Sequence, residues 1–149
     1  MKARHKARIV ALQALYELDC TAHAPGTVFA QRAEENSLPE GQLEFARQLV
    51  FGVLETRKRL DQWIARFAPE WPVAQMAVVE RNILRISLWE FAVGKLTPVR
   101  VSINEAVELA KVFGSDSAPR FINGVLGSLA DNAEALEAAV AKAGEVKGG

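Results

Sequence analysis

The sequence predicts an all-α fold, a single compact domain of two packed helical bundles with about seven helices. Three observations point there. Helix formers dominate, while Gly and Pro number only 10 and 6 among 149 residues, so turn-rich architectures lack their punctuation. Apolar residues recur at three- and four-residue spacing along most of the chain, the period of one helix face. Residues 76–93, MAVVERNILRISLWEFAV, are apolar on several sides at once, as expected of a helix surrounded by other helices. On a helical wheel Val79, Ile83 and Ile86 form one stripe of this hub helix, Leu84, Leu88 and Phe91 a second, and Val78 with Trp89 a third. Glu80, Arg81, Asn82, Arg85, Ser87 and Glu90 occupy thin polar seams, where each charge must be paired or presented to a partner.

The other elements follow in order. A first helix is predicted from about Arg4 or Lys6 to Asp19, with Ile9, Leu12 and Tyr16 on its apolar face and Ala11, Leu15 and Leu18 widening it. His23-Ala-Pro-Gly reads as a turn before a short helix from Thr27 to about Asn36, and Ser37-Leu38-Pro39 breaks that helix. From Glu40, the residues Leu43, Ala46, Val50, Val53, Leu60, Ile64 and Phe67 hold a helical spacing. This pattern fits one long helix or two segments broken near residues 55–59. Gly52 lies in the stripe, where a missing side chain permits close helix contact. Two prolines, Pro69 and Pro72, end the first half.

After the hub, Leu96-Thr97-Pro98-Val99 is expected to be extended. Ser102-Ile103-Asn104-Glu105 has the capping-box pattern, with Ser102 predicted as the N-cap of the next helix. Ala106, Val107, Ala110 and Phe113 carry its core face, and Gly114 stops it. Ser115-Asp116-Ser117 offers another N-cap, with Pro119 tolerated in the first turn. Ile122, Val125, Leu126 and Leu129 face inward, while Gly124 and Gly127 suggest close packing against another helix. The expected organisation is one domain over residues 1–149. It comprises an N-terminal bundle at about residues 4–68, a C-terminal bundle at about residues 73–141 and a disordered tail at 142–149.

Composition bounds the function. With 50% hydrophobic and 24% charged residues, the chain reads as an ordinary globular protein. No apolar run approaches the ~18 residues of a membrane span, and no signal peptide is expected. The one cysteine, Cys20, cannot form an internal disulfide and reads as a semi-buried hydrophobe, which fits a reducing, cytoplasmic setting. There is no P-loop and no G-x-G-x-x-G. Two histidines and one cysteine cannot assemble a usual zinc site, so no metal, no cofactor and no catalysis are expected.

Formal net charge is zero, yet Lys2, Arg4, Lys6 and Arg8, with His5 among them, crowd the first eight residues, and the first acid is Glu17. Cations at a helix N-terminus oppose the helix dipole, at a few tenths to ~1 kcal/mol each. A neutral chain with one basic end points to one localised anionic contact.

The segments VERNILRISLWEF (79–91) and VSINEAVELAKVFGSDSAPRFINGVLGSLA (101–130) resemble the NusB family of bacterial transcription antitermination factors. The basic terminus leading into Ala11-Leu12-Gln13-Ala14-Leu15-Tyr16 is also similar, and the likeness spans roughly residues 2–130. The resemblance implies two perpendicular helical bundles. It further implies an RNA-binding protein that pairs with a small ribosomal-subunit protein, NusE, on the single-stranded boxA element of nascent ribosomal RNA. With other Nus factors such a pair helps the RNA polymerase elongation complex resist termination. By position, Lys2, Arg4, His5, Lys6 and Arg8 would contact RNA, four of them as cations on phosphates. Arg120, Phe121 and Asn123 would form a second RNA-facing patch, with Phe121 either stacking on a base or buried in the core. Glu80, Arg81 and Arg85 would lie on the partner side, with internal ion pairing of either arginine, to Glu90 or to other groups, as the alternative. Two alternatives stand beside this reading: an RNA-independent protein-interaction bundle, and a detached accessory domain of an RNA cytosine methyltransferase. Free monomer and homodimer both remain open.

Overall fold

The computed structural model describes residues 2–148. Met1 and Gly149 lie outside it, as do the side chains of Lys2, Ala74 and residues 145–148. Seven helices and no strand occur among the described residues: α1 (Lys2–Cys20), α2 (Pro25–Asn36), α3 (Glu40–Phe67), α4 (Val78–Leu88), α5 (Val99–Phe113), α6 (Ala118–Asp131) and α7 (Ala133–Gly148). A 3₁₀ turn at Val73–Gln75 precedes α4, and a π-helical turn at Trp89–Val93 continues it.

Helices α1, α2 and α3 pack on one another, α5 and α6 pair in the second half, and α4 touches α1, α3, α5 and α6. The predicted hub is therefore the element on which both halves meet. Residues 82–88 are all buried, as its several apolar stripes require. The α3 periodicity resolves as one helix of 28 residues. Gly52 lies against the Trp89 indole, and a Cβ there would collide with the ring. Gly94 faces the same indole, where a Cβ would come within 2.6 Å, so the ring is clasped between two residues that lack side chains.

Several expectations are corrected. Helix α5 begins at Val99, after Pro98 in an extended conformation (φ −57°, ψ 146°), so Ser102 is not an N-cap. Proline already pre-sets the turn and the Ser102 amide donates to the Pro98 carbonyl at 3.0 Å, which leaves the Ser102 hydroxyl buried against Ser87. Tyr16 and Phe113, predicted as core, are 45% and 36% exposed. Cys20 is exposed as well. Gly124 packs under Trp71 rather than against a helix, and Gly127 faces open space. α7 runs as a helix from Ala133 to Gly148, a stretch rich in Ala, Lys and Glu, which favour a helix.

Candidate nucleic-acid interface

The basic residues alternate along the first eight positions, and a helix divides such a pattern between two faces. At 100° per residue Arg4 and Arg8 lie about 40° apart, while Lys6 is some 200° from each. Lys6 is exposed. The two arginines turn toward the protein instead. The Arg4 guanidinium lies 4.3 Å from the centroid of the Phe45 ring and donates to the Leu96 carbonyl at 3.2 Å, yet the residue stays exposed, with further N–H groups free. His5 is half-buried, its Nδ1 3.2 Å from Glu105 Oε2. The side chain of Lys2, the first predicted contact, lies outside the described residues.

Arg8 departs from the expected phosphate contact. It is only 2% exposed and is bonded to Glu90, itself 1% exposed. Nε donates to both carboxylate oxygens at 3.1 and 3.2 Å, and Nη2 also donates to Oε1. Glu105 stands 3.8 Å from Nη1, and the Phe45 ring flanks the guanidinium at 5.2 Å. Burial of a charge demands such partners, so Arg8 has no reach into solvent. Among the described residues, the outward cationic surface of the first turns is Arg4 and Lys6, with the half-buried His5 between them.

The second predicted patch opens α6. Arg120 and Asn123 are exposed, and Phe121 is half-buried. Phe121 meets Trp71 edge-to-face, ring centroids 6.4 Å apart at 80°, and Trp71 rests on Gly124 with 3.4 Å to a Cβ position. Phe121 is thus neither sealed in the core nor fully exposed. The two patches attach to opposite ends of the hub. Arg8 is tied to Glu90 at its C-terminal end, whereas Ser115, just before α6, donates to Glu80 Oε1 at 3.3 Å at its N-terminal end.

Along the partner seam Glu80 is half-buried. Arg85 is buried and fully engaged, the internal pairing that was the alternative to a partner contact. It donates to both oxygens of Asp61 at 2.8 Å, to Asp19 at 3.1 Å and to Asn82 at 3.2 Å. Burial lowers the Arg85 pKa, but the Asp61 and Asp19 carboxylates outweigh it and the net shift is upward. Arg81 donates to Asp19 at 3.2 Å, so it too is held within the chain rather than offered outward, although its Nε is buried without a partner. Neither arginine reaches Glu90, which is taken by Arg8. Burial would raise the Asp19 carboxyl, yet hydrogen bonding from Asn82 and the charges of Arg85 and Arg81 hold it below its ordinary 3.8. Beside this seam the exposed rings of Tyr16 and Phe113 line a groove of about 600 Å³ with Gln13, Glu17, Cys20 and His23.

The match to known proteins is extensive. Residues 5–131 fit the model of the NusB family. The chain belongs to the NusB family. It is 51% identical over 128 residues to the transcription antitermination protein NusB of Roseiflexus castenholzii, covering 85% of this chain and 90% of that one. NusB of Dehalococcoides mccartyi is 45% identical over 139 residues, covering 91% and 97%. Among solved structures, NusB of T. maritima superposes with a TM-score of 0.78 at 28% identity, covering 86% of this chain and 90% of that one. A crystal structure of antitermination factors NusB and NusE in complex with dsRNA gives a TM-score of 0.78 at 28% identity, covering 87% and 96%.

Set within a NusB-family chain, four residues that sequence reasoning assigned no site role come forward: Glu90, Glu105, Thr97 and Trp71. Glu105 was read as half of a capping box, and Glu90 as a partner for Arg81 or Arg85. One signal was present for Arg8. Its four-residue offset from Arg4 put it on that helix's inward face, beside the buried Ala7 and Ala11.

Proposed function

We propose that this NusB-family chain binds single-stranded boxA-type RNA jointly with NusE and so helps RNA polymerase, with other Nus factors, resist termination. One observation carries the proposal: a helical turn that leaves Arg4 and Lys6 exposed at the end of a chain with no net charge. Such a site attracts one strand locally without general affinity for polyanions. Arg120 and Asn123 extend the contact, with the open part of Phe121 and its neighbour Trp71 available to stack on a base, worth ~1–3 kcal/mol. Lys2 belongs to the same cationic group by sequence. Arg8 enters as internal support.

NusE is assigned to the face carrying Glu80 and the Tyr16–Phe113 groove. An exposed apolar surface rimmed by polar groups marks a protein contact, and Ser115, bonded to Glu80, follows Phe113 by two residues. Glu80 acts there on orientation and choice of partner more than on affinity.

Titrating a boxA-type RNA oligonucleotide with the chain and NusE, at several salt concentrations, tests the proposal. Each neutralised phosphate contributes about 0.7 to the logarithmic salt slope of a single strand. Lys2, Arg4 and Lys6 alone therefore predict a slope near −2.1, and R4A or K6A should each remove about 0.7. A flat salt response, or unchanged affinity in both variants, overturns the assignment.

A further inference from the structure

We infer that Thr97, Glu90 and Glu105 are positioning residues for RNA recognition, acting through the buried Arg8 to hold the basic first turns of α1 in one orientation. The inference rests on the RNA-binding reading above. Three separately built pieces converge on these turns. The π-helical turn at Trp89–Val93 carries Glu90, beneath α1. The connection to α5 passes through Lys95, whose φ of 51° is left-handed, and so reverses sharply. After it, the Leu96 carbonyl receives Arg4 and Thr97 Oγ1 donates to Glu90 Oε1 at 2.5 Å. From α5, Glu105 reaches both Arg8 and His5.

These contacts reach Arg4, His5 and Arg8 but not the exposed Lys6. A short basic helix start, with no acid in its first turn, would fray if left alone, since its charges oppose the dipole. Here the Arg8 guanidinium is gripped along its Nε–Nη2 edge by Glu90, with Glu105 near Nη1 and Phe45 against it, which fixes the roll of α1. The planar, multi-donor group suits this task, whereas an ammonium could not make the same fork. A buried ion pair contributes little net stability over an apolar replacement, so orientation accounts better for retaining one here. The consequence falls on the outward cations: ordered in advance, they lose less freedom when RNA is bound.

The test compares T97V and T97S with the wild-type chain and K6A, measuring RNA affinity, its salt slope, and NusE affinity. T97V preserves shape and leaves Glu90 bonded to Arg8, so the chain still folds. RNA binding by T97V should weaken about two- to tenfold, the worth of one hydrogen bond, with an unchanged salt slope and unchanged NusE affinity. T97S should restore RNA binding. K6A, by contrast, lowers the slope by about 0.7. Wild-type RNA affinity in T97V, with K6A still weakened, overturns the inference, as does a parallel loss of NusE binding. Failure of the wild-type chain itself to bind RNA would instead overturn the functional reading on which the inference rests.

Discussion

At the scale of single residues, Asp19 shows how one carboxylate organises a polar seam. It sits among Arg57, Arg81 and Arg85 and accepts from Asn82 at 2.9 Å. Folding lowers its pKa, so the ionised form is the one favoured in the native state. Its contribution is complete above the unfolded value, near 3.8, and disappears as pH falls through the lower folded value. D19N should lose about 1.5–3 kcal/mol at neutral pH and show a flatter decline in stability between about pH 5 and 2. Urea unfolding of both proteins across that range checks this. Parallel curves would mean that Asp19 is not the group responsible. Little of this seam could be read beforehand. The pattern placed Asp19 at the end of α1 and Arg85 on a polar stripe, but only packing reveals that they meet. Arg8 teaches the same lesson in reverse, because a basic run looks outward until its helical phase is compared with the buried alanines beside it.

At the scale of elements, the helices were legible and their ends less so. Long periodic stretches such as α3 declare themselves through apolar spacing. A start signal such as Ser102-x-x-Glu105 yields to a stronger one a few residues upstream. Pro98 takes over the start of α5, and Ser102 and Glu105 become interior groups with partners on α4 and α1. The two roles of Ser102 are separable by experiment. Its hydroxyl lies 2.8 Å from that of Ser87 and 3.2 Å from the Ser87 carbonyl, so S102A should lose about 0.5–1.5 kcal/mol. The double variant S87A/S102A should lose less than the sum of the single changes. Strict additivity in that cycle would mean that the two hydroxyls are not coupled.

At the scale of the molecule, α4 makes the two halves interdependent. It packs against α1 and α3 on one side and α5 and α6 on the other, and buried ion pairs cross to α1 and α3 from its Arg85 and from Glu90 in the π-helical turn that continues it. Separate unfolding of either half would expose those charges without partners. A single cooperative transition is therefore expected. Far-ultraviolet circular dichroism should coincide with the fluorescence of Trp63, Trp71 and Trp89, which report from α3, the inter-half connection and the hub. Two resolved midpoints would contradict the expectation. The same geometry separates the proposed RNA contacts, one group at each end of α4. Residues 80 and 90, to which the two groups connect, lie about 15 Å apart along the helix axis, so one strand that engaged both groups would have to span a distance of that order. This spacing was beyond sequence reasoning, which proposed both groups but had no measure of the distance between them.

The π-helical turn at Trp89–Val93 amounts to one residue more than an α-helix would use over the same rise. Removing Trp89 would restore the regular winding and move Glu90 by about 100° around the helix axis. Glu90 would leave Arg8, and Gly52 and Gly94 would lose the ring they clasp; removing a residue between Phe91 and Val93 would instead shorten the connection that brings Thr97 to Glu90. The hub is thus a segment whose length, as well as its composition, is under constraint. The break at Ser37–Pro39 between α2 and α3 carries no such linkage. Length changes among relatives should therefore accumulate at that break and spare the winding of 89–93, where one extra residue sets the phase of every contact that follows.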